Sequence, residues 1–99
     1  MGFLEAVQRW VGQSQEQLGP SVEIRVRESP DGRRKRAIWV EIEGHGRGGQ
    51  LTVWESGETE IEVYGDESME PVIQRYEVAE SPRRIEGLLD ELLSTVSSD

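Results

Sequence analysis

The segment Leu51-Thr52-Val53-Trp54-Glu55-Ser56-Gly57-Glu58-Thr59-Glu60-Ile61-Glu62-Val63-Tyr64 constrains the fold more than any other stretch of the chain. Two alternating runs flank a Ser-Gly turn signal, which is the pattern of a β-hairpin. Side chains alternate with period two along a strand, so Glu58, Glu60 and Glu62 share one face. Like charges crowded on one face weaken a fold. A chain that keeps them there suits a positively charged partner.

The turn length sets the register. A two-residue loop at Ser56-Gly57 places Val53 opposite Glu60 and mixes apolar with acidic residues on each face. A three-residue loop, Glu55-Ser56-Gly57, is a type I turn closed by a left-handed glycine. It sets Val53 opposite Thr59 and Leu51 opposite Ile61. Trp54 then meets Glu58, Thr52 meets Glu60 and Gln50 meets Glu62. This register leaves one side apolar throughout, and it is the one expected.

The remaining elements follow from periodicity. Phe3, Leu4, Val7, Trp10, Val11 and Leu18 recur at helical spacing, and Gly19-Pro20 stops the helix. Val22, Ile24 and Val26 alternate with Glu23, Arg25 and Arg27 as a half-buried strand. Ser29-Pro30-Asp31-Gly32 is a turn, followed by the basic run Arg33–Arg36. The next strand has Ile38, Val40 and Ile42 on one face, with Ala37, Trp39, Glu41 and Glu43 on the other. Gly44-His45-Gly46-Arg47-Gly48-Gly49 reads as a short connection to an antiparallel neighbour at 50–54. After a polar loop at 65–71, residues 72–79 form a fifth strand. Ser81 offers an N-cap and Pro82 a first helical position. Ile85, Leu88, Leu89, Leu92, Leu93 and Val96 form the stripe of a second helix.

The expected fold is α+β, in the order α-β-β-β-β-β-α. A meander of about five antiparallel strands carries an N-terminal and a C-terminal helix on one face. The 99 residues fit one domain, 1–99. The face away from the helices then displays Trp39, Glu41, Glu43, Thr52, Trp54, Glu58, Glu60, Glu62 and Tyr64. Aromatic rings among charges are the composition of a protein-binding hot spot. Two plainer readings stand beside it. A tryptophan in a small α+β domain also fits a core position. An acidic stripe also serves solubility.

Charge narrows the partners. The net charge is −9, with nine acids and one base in residues 41–70. Phosphate recognition needs a basic surface, so nucleic acid and anionic membrane are not the expected partners. A basic protein fits best, met by a monomer or homodimer. The chain has no cysteine, which excludes thiol chemistry, disulfides and thiolate metal sites. No apolar run approaches a bilayer span, and residues 1–12 do not read as a secretion signal. A cytoplasmic location is expected.

No enzymatic constellation emerges. The glycine-rich run around His45 joins two strands, whereas phosphate loops join a strand to a helix N-terminus. No serine has a recognisable base and orienting partner. Glu58, Glu60 and Glu62 stand in a row rather than around an ion. No cofactor, metal or catalytic residue is expected.

The element order, the acidic character and the segment Leu51-Thr52-Val53-Trp54-Glu55-Ser56-Gly57-Glu58, continued by Glu60-Ile61-Glu62-Val63, resemble the TriTu family of bacterial immunity proteins. The Trp10-Val11 helix and the leucine-rich C-terminal helix fit the same pattern. The resemblance implies a cytoplasmic antitoxin of a polymorphic toxin system, which binds and neutralises one cognate toxin domain. A small acidic secretion-type chaperone, binding an exported protein, is the alternative that composition and size allow.

Overall fold

The computed structural model describes residues 2–16, 21–29, 36–44, 46–65 and 71–97, without the side chains of Pro71 and Val72. The elements are α1 (Phe3–Gln15), β1 (Val22–Glu28), β2 (Ala37–Gly44), β3 (Arg47–Trp54), β4 (Glu58–Tyr64), β5 (Pro71–Val78) and α2 (Pro82–Ser97). The five strands form one antiparallel meander in the order β1-β2-β3-β4-β5. Both helices pack on the same face of it. The expected α+β architecture is the observed one. Leu18, Gly19, Pro20, the turn residues Pro30–Gly32, the bases Arg33–Lys35, His45 and residues 66–70 lie outside the described residues.

Alternation builds the core. Ile38, Val40 and Ile42 of β2, Leu51 and Val53 of β3, and Ile61 and Val63 of β4 face inward and are buried. Leu4, Val7, Trp10 and Val11 of α1 and Ile85, Leu88, Leu89, Leu92 and Val96 of α2 close over them. Spacings of three and four put each set on one helix stripe. Ser81 caps α2 as expected, its Oγ accepting the Arg84 N–H at 3.3 Å. At the other helix, the Trp10 indole Nε1–H donates to Asp90 Oδ1 at 2.7 Å. Arg9 donates to Glu86 at 2.6 Å. These bonds link α1 to α2.

The three-residue hairpin loop is present. Val53 pairs with Thr59, Leu51 with Ile61, Thr52 with Glu60 and Gln50 with Glu62. Gly57 has φ 101°, the left-handed closure that the register requires.

The glycine-rich connection differs from expectation. Strand pairing continues through it, with Gly44 opposite Arg47, Glu43 opposite Gly48 and Ile42 opposite Gly49. The glycines serve packing as well as turning. A Cβ on Gly49 would stand 2.6 Å from Leu92 Cδ1 and 3.2 Å from Val96 Cγ2. The missing side chain lets α2 approach β3.

The helices cover the middle strands and leave the edges thin. Val26 of β1 and Ile73 of β5 are on the inner face yet 39% and 40% exposed. The inner face of β5 continues with charges instead of aliphatics. Arg84 grips Glu77 through two hydrogen bonds of 2.8 Å. Arg75 reaches Glu91 at 2.8 Å. The Arg84 guanidinium holds the Glu77 carboxyl below its ordinary range, partly opposed by desolvation. A depressed native value stabilises the fold above the unfolded value and loses that contribution as pH falls through the native one. Glu77→Gln is therefore expected to flatten the acid limb of the stability curve. Urea midpoints from neutral to acidic pH would check this.

Gly87 sits inside α2, and a Cβ there would meet nothing within 4 Å. Gly87→Ala is expected to stabilise the fold by about 0.5–1 kcal/mol, because alanine loses less backbone entropy in a helix. The midpoint of urea unfolding is the measurement.

Candidate functional site

The sheet face opposite the helices is a grid of side chains fixed by the register. One row across the strands reads Arg27, Trp39, Thr52, Glu60, Tyr76. The next reads Arg25, Glu41, Gln50, Glu62, Gln74. Adjacent strands lie about 4.8 Å apart, so neighbours in a row are within side-chain reach. Trp39, Glu41, Glu43, Thr52, Trp54, Glu58, Glu60, Glu62 and Tyr64 all project to this side.

The grid has relief. The outward positions of β3 are short at Gly48 and Thr52, and Thr52 is only 5% exposed. Thr52 therefore contributes floor rather than accessible surface. Trp39 and Glu41 on β2, and Glu60, Glu62 and Tyr64 on β4, stand on either side of that floor. Trp39 and Trp54 are half-buried here, outside the apolar core beneath the helices.

The two acidic walls differ electrically. On the β2 side, Arg25 of β1 lies 3.4 Å from Glu43 and Arg27 lies 3.6 Å from Glu41. Arg25 also bonds Glu23 at 3.1 Å and holds that carboxyl below its usual value. On the β4 side, Ser56 Oγ donates to Glu58 at 2.5 Å, and the Tyr64 hydroxyl donates to Glu62. That bond to an acceptor carboxylate pushes the Tyr64 hydroxyl pKa up. Glu60 is exposed between its two acidic neighbours. Arg25 and Arg27 thus supply positive charge to the β2 wall.

Two residues that the sequence reading did not select belong to this face. Tyr76 and Val78 are 61% and 57% exposed and stand opposite Glu60 and Glu58. The signal for them was the alternation Gln74, Tyr76, Val78 against Arg75 and Glu77. It is weak in sequence because β5 carries charges where an inner face is normally apolar.

Among the described residues, no cluster of His, Asp or Glu is arranged to hold a metal ion. No helix among them is long and apolar enough to cross a membrane.

The model of the family described as immunity protein TriTu matches residues 5–95. This chain belongs to the TriTu family of immunity proteins. The match runs from the first turn of α1 to the last turns of α2, so it spans the whole TriTu meander. No curated protein and no solved structure matches the chain significantly. Membership in TriTu gives an immunity function, and an immunity protein binds a cognate toxin.

Proposed function

We propose that the outer sheet face docks on a basic site of the cognate toxin domain in the cytoplasm and occludes it. Glu58, Glu60 and Glu62 steer and pair with arginine or lysine. Trp39, Trp54 and Tyr64 pack against the toxin, joined by Tyr76 and Val78. Glu41 and Glu43 form the second wall, and Thr52 the floor. The observation that carries this reading is the segregation of the grid. Every one of these side chains lies on the face that the core does not use, and the three β4 acids stand in one unbroken row.

Acids of one sign around aromatic anchors raise the association rate with a basic partner and fix its orientation. A chaperone for unfolded clients needs an open apolar groove. The outer-face cleft at Trp39 is lined chiefly by charged and polar groups, which favours the immunity reading.

Stopped-flow association with the cognate toxin domain tests it. The on-rate is expected to fall steeply as salt rises, because the Debye length shrinks to about 10 Å at 0.1 M. Glu60→Lys is expected to slow association and flatten that dependence. An on-rate indifferent to both salt and Glu60→Lys overturns the reading.

A further inference from the structure

A cleft of about 360 Å3 opens on the outer face, lined by Arg27, Glu28, Trp39, Glu41 and Gln50. The Glu28 carboxylate is turned to α1, where it accepts a hydrogen bond from Gln8 Nε2 at 3.0 Å. The negative charge of the cleft therefore comes from Glu41. Its side chain is 23% exposed, whereas that of Arg27, 3.6 Å away, is 68% exposed. The carboxylate is the fixed half of this pair and the guanidinium the loose half. Arg27 is also the cross-strand partner of Trp39, so its stem lies beside the indole. Gln50 Nε2 donates to Thr52 Oγ1 at 3.3 Å, which leaves the amide oxygen as an acceptor.

We propose that the Trp39–Glu41–Gln50 cleft is a receptor for one arginine side chain of the toxin, and that Arg27 is an internal placeholder displaced on binding. This deepens the reading above and rests on it. The chemistry favours guanidinium over ammonium. A planar guanidinium stacks on an indole face and forks onto a carboxylate, and an ammonium does neither as well. Displacing Arg27 costs little, because an exposed ion pair contributes little. The protein's net charge of −9 favours a cationic occupant.

The test uses the full chain labelled with 15N, titrated with hexa-arginine and hexa-lysine peptides. The readouts are the indole N–H signals and the backbone amides of β4. The Trp10 indole, bonded to Asp90 between α1 and α2 and away from the outer sheet face, serves as internal control for the fold. Hexa-arginine is expected to shift the Trp39 indole saturably, about fivefold or more tightly than hexa-lysine. Glu41→Gln is expected to weaken that binding about five- to tenfold. Arg27→Ala is expected to tighten it about two- to fivefold. Arg83→Ala removes the same charge from the exposed surface of α2 and controls for net charge. Equal effects of Arg27→Ala and Arg83→Ala overturn the placeholder. Equal binding of the two peptides overturns the guanidinium site. Shifts confined to the amides around Glu60, with the Trp39 indole unmoved, overturn the cleft and leave the acidic-face reading standing. No shift anywhere on the outer face counts against both.

Discussion

Reversing Glu58, Glu60 and Glu62 together to lysine is expected to weaken binding of the cognate toxin by on the order of 1,000-fold or more, with the fold kept. Removing one partner of a desolvated charge pair costs about 2–5 kcal/mol, and three reversals add repulsion to that loss. The fold is expected to survive for local reasons. None of the three side chains enters the core, and the Ser56–Glu58 and Tyr64–Glu62 bonds lie on the same surface. Glu60 is exposed and Glu58 and Glu62 are half-buried on the outer surface, where substitutions usually change stability by no more than about 0.5 kcal/mol each. Calorimetric titration against the toxin and a parallel urea midpoint separate the two effects. Retained affinity in a folded variant would sink the acidic-face reading and return the stripe to a role in solubility.

Gly57→Val is expected to destabilise the protein by about 3 kcal/mol, combining a disfavoured backbone with overpacking. At φ 101° any side chain is strained, and a β-branched one most. Space is also missing, since a Cβ would lie 3.0 Å from Phe3 Cζ and 3.1 Å from the Ala79 carbonyl oxygen. The residue is a junction. Its N–H donates to Trp54 O at 2.9 Å, and its carbonyl accepts from Ala79 N at 2.9 Å and from Thr59 Oγ1 at 3.1 Å. The turn, the link from β5 to α2 and the start of α1 meet there. Gly57→Ala is expected to cost about half as much, because alanine is spared the β-branch. A urea midpoint equal to wild type for the valine variant would show that the turn relaxes freely.

These two sites lie within one short segment and do different work. The glutamates face outward from the hairpin, whereas Gly57 and the buried Thr59 hold the hairpin to the rest of the molecule. A substitution in this hairpin that abolishes toxin binding is therefore interpretable only beside a stability measurement.

The hairpin register, the inner faces of β2, β3 and β4, the stripes of both helices and the Ser81 cap were all legible in the residues. Each is governed by periods of 2 or 3.6 and by the chemistry of a turn or cap, which act over a few residues. The nine outward positions were legible for the same reason. Their roles in recognition remain a proposal built on that geometry.

What the tertiary structure decided depends on residues distant in sequence. The helices come to rest over β2, β3 and β4, so Val26 and Ile73 stay partly exposed despite alternating correctly. The inner face of β5 is tied to α2 by Arg84–Glu77 and Arg75–Glu91, a pairing that no single strand announces. Gly49 reads as a loop glycine until Leu92 and Val96 are seen to occupy the space above it. Arg25 and Arg27 look like isolated charges on β1 until the fold sets them beside Glu43 and Glu41 and offsets the charge of that acidic wall. Alternation is a property of the chain and is written in it. Coverage and cross-strand neighbours come from where separate elements meet, and only the folded molecule brings them together.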